Sequence, residues 1–251
     1  MFSDFTKIFK IMSSCKYQLD LALGIFILAS VLNLAGNFVG CTILSICSKP
    51  FIVPSLAVLC WFLLKREGIS GSRAATLVSA LAFGAAGDIL LMFDGQATFL
   101  AGLAAFLMGH VFYLVTIGVP HDVPSDHHFA LRVIVPVALI FIMAMTAQLF
   151  KVKGLLGMAV TLYAVAFAFC INAGIHNAVF NRQRLYWITV IGYVLFVVSD
   201  TILATGKFTD IKIPASSFWV MLTYILAQFL IAMSLTLAEI RRREEIKGQA
   251  N

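Results

Sequence analysis

Asp88 and Asp200 each stand inside a long apolar run, Asp88 in LVSALAFGAAGDILLMF and Asp200 in WITVIGYVLFVVSDTILA. A charged side chain at the centre of a bilayer costs about 2.5–3.5 kcal/mol on insertion scales, so such residues face a bundle interior and mark functional sites. Two carboxyl groups brought to one cavity, one protonated and one ionised, are the equipment of general acid–base catalysis. Burial favours the neutral form of a carboxyl group, and a like-charged neighbour pushes one member of a pair further the same way.

Lys49 is the third costly group. It lies in CTILSICSKPFIVPSLAVL, followed at once by Pro50, with Pro54 one turn later. Prolines in a membrane helix free backbone carbonyls that polar neighbours re-satisfy. At about 1.5 Å per residue, Lys49 lies roughly 12 Å from the start of its span and Asp88 roughly 9 Å from the end of its own, on the same side. The matching depth predicts a Lys49–Asp88 pair. The competing reading for Lys49 is a helix-end lysine snorkelling to the interface. For the aspartates it is a structural hydrogen bond or ion pair between helices.

These residues must be positioned by membrane helices. The 251 residues are 61% hydrophobic and only 12% charged, where soluble domains are nearer a quarter charged. The pattern predicts an all-α polytopic bundle of about eight transmembrane helices, each long enough for about 30 Å of hydrocarbon. The expected spans are 17–36, 41–64, 74–93, 97–119, 130–150, 154–180, 185–205 and 216–238. Residues 1–16 read as a cytoplasmic tail, 17–238 as one transmembrane domain, and 239–251 as a basic cytoplasmic tail. Lys65, Arg66, Arg73, Arg241, Arg242 and Arg243 fall on one side with most other basic residues; Lys151, Lys153, Lys207 and Lys212 fall on the other. The positive-inside rule then puts both termini in the cytoplasm, and the basic ends meet anionic head groups. The short connections and the lack of a eukaryotic sorting signal lean towards a bacterial inner membrane.

The two halves echo each other. AAGDILLMFDGQATFLAGLAAFLMGHVFYLV resembles VVSDTILATGKFTDIKIPASSFWVMLTYILAQFLIAM, with Asp88 opposite Asp200 and His110 opposite Gln228. Four spans per copy would make a parallel 4+4 repeat about an axis along the membrane normal. The bland alternative is that two Asp-bearing apolar hairpins look alike by chance.

Residues three, four and seven apart share a helix face. Gly84, Gly87, Asp88 and Leu91 share one, and its glycines allow close helix approach beside the carboxylate. Gly102, Phe106, Gly109, His110 and Tyr113 form a second; Gly192, Tyr193, Phe196, Ser199 and Asp200 a third; Met221, Tyr224, Ile225 and Gln228 a fourth. Tyr113, Tyr163, Tyr193 and Tyr224 each read individually as packing before they read as site residues. Asn172 and His176 are one turn apart and could line a cavity. His110 reads equally as a satisfied interior histidine and as a working one.

Other chemistries find little support. The scattered basic residues do not make a nucleic-acid surface. Cys15, Cys41, Cys47, Cys60 and Cys170 include no CxxC pair and read as packing residues. The HDVPSDHH loop lacks ordered metal-ligand spacing and reads as solvated. Nucleotide-binding glycine motifs and a Gly-x-Ser-x-Gly elbow are absent.

Lys49-Pro50, Gly87-Asp88 with Leu90-Leu91, Phe99, Gly102, Phe106, His110 and Tyr113 resemble the first-half pattern of the YhhN/lysoplasmalogenase family. Ser199-Asp200, Tyr224 and Gln228 resemble its second half. The resemblance runs from about residue 45 to about residue 235. It implies an eight-span membrane protein that hydrolyses the vinyl ether bond of a lysoplasmalogen, a lysophospholipid. The products would be a fatty aldehyde and glycerophospho-ethanolamine or -choline, with no cofactor or metal required. Such a bond reacts with water only after protonation on carbon, which gives an oxocarbenium ion. Paired carboxyl groups serve that kind of cation in glycosidases. Asp88 and Asp200 would be the catalytic pair, with Lys49 biasing their protonation. His110, Tyr224 and Gln228 would position water or the polar end of the substrate, and Ser199 and Tyr113 would support them.

Two other classes compete. An intramembrane aspartyl protease also uses two membrane aspartates, but the Gly-x-Gly-Asp and Pro-Ala-Leu patterns are missing. A proton-coupled transporter or lipid-binding protein would also keep an Asp–Lys pair. The oligomeric state, the head-group preference and the identity of the acid are unreadable from the sequence.

Overall fold

A computed structural model describes residues 17–118, 154–180 and 183–249. They form seven helices: α1 (Tyr17–Val39), α2 (Thr42–Arg66), α3 (Ser72–Leu90), α4 (Gln96–Ile117), α5 (Gly154–Phe180), α6 (Leu185–Phe208) and α7 (Ser216–Gln249). All seven are long and apolar enough to cross a bilayer. A spanning segment has no water to satisfy its backbone, so an apolar run of this length closes its own hydrogen bonds as a helix. The chain is thus an all-α polytopic membrane bundle. The expected span at 130–150 and the HDVPSDHH loop lie outside the described residues, and with them the segment on which a 4+4 repeat depends.

The helix ends follow from local chemistry. Gly68 adopts φ +68°. Its N–H donates to the Lys65 carbonyl at 3.0 Å, and the Ile69 N–H donates to the Leu64 carbonyl at 2.9 Å. This is the Schellman arrangement, which needs a left-handed residue just past the helix. The last carbonyls of α4 are met differently: the Asn177 side chain on α5 donates to the Gly118 carbonyl at 2.9 Å. Pro50 and Pro54 lie inside α2 without ending it. Beside them Asn33 of α1 donates to the Ser45 carbonyl at 2.8 Å and to the Ser48 hydroxyl at 3.2 Å.

Successive helices pack as neighbours, and α7 also touches α1, α2 and α3. Glycines set the closest approaches. A Cβ on Gly192 of α6 would come within 2.7 Å of Ile231 and 3.2 Å of the Ala227 carbonyl of α7. Small polar pairs also join helices, Thr189 of α6 with Ser234 of α7 at 2.7 Å and Thr116 of α4 with Thr76 of α3 at 3.0 Å. Such pairs hold helices together in a solvent that gives them no hydrophobic drive to associate. The outward faces carry exposed Ile27, Leu28, Val31, Phe51 and Val115, a surface suited to lipid tails.

Charge separates the two ends of the bundle. Among the described residues, Lys65, Arg66, Arg73, Arg184, Arg241, Arg242, Arg243 and Lys247 lie at the end holding the α2–α3 turn and the α7 C-terminus. Lys207 and Lys212 lie at the other. The last helix runs past the expected span of 216–238 to Gln249, because the charged segment after 238 continues as helix. Glu, Arg and Lys are good helix formers, and the segment contains no breaker before Gly248.

Candidate active site

The three costly residues lie near the less basic end of the bundle. Asp88 is two residues from the end of α3, Lys49 is in the second turn of α2, and Asp200 is two turns from the end of α6. The depth match predicted for Lys49 and Asp88 is met: Lys49 Nζ lies 3.6 Å from Asp88 Oδ1. Asp88 is 4% exposed, and its second oxygen accepts the Tyr224 hydroxyl at 2.7 Å.

Asp200 comes from the other half of the chain and lines the same cavity as Asp88, a space of about 130 Å³. Lys49, Phe99, Phe106, Ser199, Leu203, Lys207, Met221 and Tyr224 also line the cavity. Five helices therefore converge on it: α2, α3, α4, α6 and α7. The wall is apolar apart from two acids, two cations, a phenol and a serine. The Ser199 hydroxyl already donates to the Val220 carbonyl at 3.0 Å.

Three residues expected at the site stand behind its wall. Tyr113 donates to Gln228 Oε1 at 2.9 Å, and Gln228 Nε2 donates to the Tyr224 hydroxyl oxygen at 3.2 Å. With the Tyr224–Asp88 bond this makes a chain in which each donor is directed towards Asp88. His110 reaches Tyr163 at 3.4 Å, and Tyr163 donates to Asp200 Oδ2 at 2.8 Å. His110 is ringed by Phe167, Phe196, Tyr163, Tyr193 and Tyr113, with ring centroids 4.3–6.4 Å away. His110 and Gln228 do not line the cavity; they bond the tyrosines Tyr163 and Tyr224, which in turn reach Asp200 and Asp88. The aromatic crowd fills the space in front of His110.

Two residues escaped the sequence reading. Tyr163 reads as a packing tyrosine but is the described hydrogen-bond partner of Asp200. Its signal was only the stripe Tyr163, Phe167 and Cys170 on α5, which packing alone would also produce. Lys207 reads as one of a few charges at the less basic end. It lies on the cavity wall with its Nζ 4.0 Å from the centroid of the Phe99 ring. The spacing from Asp200 to Lys207 is two helical turns, which puts both on one face. Asn172 and His176 do not line this cavity.

The two carboxyl groups differ in their surroundings. Asp88 has a cation and a phenol. Asp200 has a phenol, and the second cation of the cavity wall, Lys207, lies over the Phe99 ring. The chains behind them also differ. Reversing the Asp88 chain requires Gln228 to turn its amide around. The Asp200 chain reverses by proton shifts alone. A histidine ring nitrogen donates or accepts according to tautomer, so His110 can meet Tyr163 either way. Such an arrangement can hold one fixed carboxylate beside one proton carrier. Among the described residues no cluster of His, Cys, Asp and Glu could hold a metal ion.

Lysoplasmalogenase TMEM86A of Homo sapiens is 26% identical over 191 residues, covering 73% of this chain and 76% of that protein. No solved structure matches the chain. The YhhN family model matches residues 44–235, from five residues before Lys49 to beyond Gln228, so this chain belongs to the YhhN family.

Proposed function

We propose that this protein is a membrane hydrolase that cleaves the vinyl ether bond of a lysoplasmalogen. The observation that carries the reading is the pair of carboxyl groups on one apolar cavity, with a lysine and a phenol on Asp88 and, among the described residues, a phenol on Asp200. The family and the name of the human relative supply the lipid context.

Asp200 acts as the acid and Asp88 as the base. Asp200 delivers its proton to the outer carbon of the vinyl ether, and the electron pair of the double bond forms the new C–H bond. The resulting oxocarbenium ion is held near the Asp88 carboxylate. Water adds to the inner carbon and gives its proton to Asp88, forming a hemiacetal. Asp88 then protonates the glycerol oxygen as the C–O bond breaks, while Asp200 takes the hemiacetal hydroxyl proton. Aldehyde and alcohol leave, and both aspartates return to their starting states with no net proton consumed. Tyr224 and Tyr163 hold the two carboxyl groups in position; Gln228 with Tyr113, and His110, hold the two tyrosines.

The alkenyl chain lies against Leu91, Phe106, Leu203 and Met221. The phosphate faces Lys207, the cavity cation not tied to a carboxylate. Side chains on a helix lean towards its N-terminus, so the Lys207 ammonium leans back towards Asp200.

Release of fatty aldehyde from a lysoplasmalogen by the purified full chain tests the reading. The wild type is expected to release it, and Asp88→Asn and Asp200→Asn each to lose about 100-fold or more of that rate, the usual contribution of a general acid or base. Near wild-type rates in both variants would end the two-aspartate mechanism. The Lys49–Asp88 pair also fits a proton-coupled carrier. Uptake of an unchanged solute into vesicles, with no aldehyde formed, would favour that reading.

A further inference from the structure

A second recess lies at the opposite, basic end of the bundle and has no part in the chemistry above. Its volume is about 430 Å³, and it opens between the α2–α3 turn and the last turns of α7. Arg73 enters from the start of α3, and Arg242, Arg243 and Lys247 enter from α7. A single acid on its wall, Glu239, faces them, with Arg73 Nη1 at 3.2 Å and Arg242 Nη1 at 4.0 Å from its Oε2. Four cations against one carboxylate leave the recess strongly positive.

Its depth matters as much as its charge. α7 is 34 residues long, about 51 Å at 1.5 Å per residue, while the hydrocarbon core of a bilayer is about 30 Å thick. The last turns of α7 therefore stand at head-group level or beyond. Ile246, 56% exposed, shares the wall with the arginines. An exposed isoleucine beside guanidinium groups suits a ligand that is anionic at one point and apolar next to it. The start of α3 adds backbone donors, since Gly71 brings no side-chain cap to its first turn and the first N–H groups of a helix lack intrahelical partners.

We propose that this recess binds the phosphate of an anionic membrane lipid. The guanidinium groups of Arg242 and Arg243 hold the phosphate oxygens, Arg73 and Lys247 complete the positive wall, and the glycerol backbone lies against Ile246. Arginine suits the task because its planar donor fork matches a phosphate group. The site is separate from the carboxylate cavity and does not depend on the reaction assigned there.

Native mass spectrometry of the full chain in detergent tests it, with equimolar phosphatidylglycerol and phosphatidylcholine as probes. The wild type is expected to retain phosphatidylglycerol preferentially. Arg242→Gln with Arg243→Gln should lower that retention about thirtyfold, the effect of two basic residues at a charged membrane surface. Lys247→Gln, at an exposed position that the fold does not need, should lower it about fivefold. Lys212→Gln, which removes the same charge at the other end, should leave it unchanged. Equal retention of the two lipids by the wild type would overturn the proposal. Unchanged retention in the arginine variant, or an equal loss in Lys212→Gln, would also do so. Inorganic phosphate bound as tightly as phosphatidylglycerol would assign the recess to a free anion and overturn the lipid.

Discussion

Lys49 and Asp88 form an ion pair between α2 and α3, with 3.6 Å from the ammonium nitrogen to the carboxylate oxygen. Asp200, across the same cavity, has the Tyr163 phenol in place of such a cation. Losing one partner of a buried pair leaves an uncompensated charge, which costs more than losing both. Lys49→Met and Asp88→Asn should each destabilise the protein. The double variant should be more stable than the sum of the two losses predicts. Thermal unfolding in detergent reads the cycle, and additive losses would mean that the pair contributes nothing.

Isotope transfer distinguishes the proposed acid step from other routes. Hydrolysis of a lysoplasmalogen in D₂O should place one deuterium on the carbon next to the aldehyde, because that carbon receives the proton from Asp200. Mass spectrometry of the aldehyde, trapped before it exchanges with solvent, measures it. An unlabelled carbon would exclude protonation of the double bond.

Tyr163 touches Asp200 but does not line the cavity, so its loss should affect turnover and not binding. Tyr163→Phe is expected to lower kcat about 10- to 100-fold, the range for a hydrogen bond to a charged group, with KM unchanged. A rise in KM with kcat intact would place Tyr163 against the substrate.

Lys207 should report on the phosphate. Lys207→Gln is expected to raise KM for a lysoplasmalogen about tenfold, as for loss of one charge-assisted contact. It should leave hydrolysis of a neutral 1-alkenylglycerol as it is in the wild type. Equal effects on the two substrates would show that Lys207 only supports Phe99.

Gly192 offers a test of the fold away from the reaction. An added methyl would meet Ile231 at 2.7 Å and the α7 backbone at 3.2 Å, and backbone atoms cannot step aside. Gly192→Ala should cost about 1–3 kcal/mol, typical of overpacking, read as a lowered Tm in detergent.

Much of the bundle was legible because a bilayer imposes long apolar segments, and seven of them stand where hydropathy put them. The Lys49–Asp88 pairing was legible because depth along a straight helix follows from residue count. Tyr163 was not, since the rotation of α5 against α6 depends on packing that no single segment encodes. Lys207 was hidden for a different reason. A lysine near a helix end ordinarily reaches for solvent, and only the converging walls of α4 and α6 make it part of a cavity. His110 and Gln228 stand one residue back from the cavity, and for His110 that remove depends on the aromatic rings packed around it, which helix periodicity does not encode.

α7 runs from Met221 and Tyr224 on the carboxylate cavity to Arg243 on the basic recess as one continuous rod, with no glycine or proline between. A membrane helix adapts its apolar stretch to hydrocarbon thickness by tilting, and a rod without a joint tilts as a whole. The Tyr224 phenol is fastened to that rod while Asp88 belongs to α3, so the thickness of the surrounding membrane bears on the bond between them.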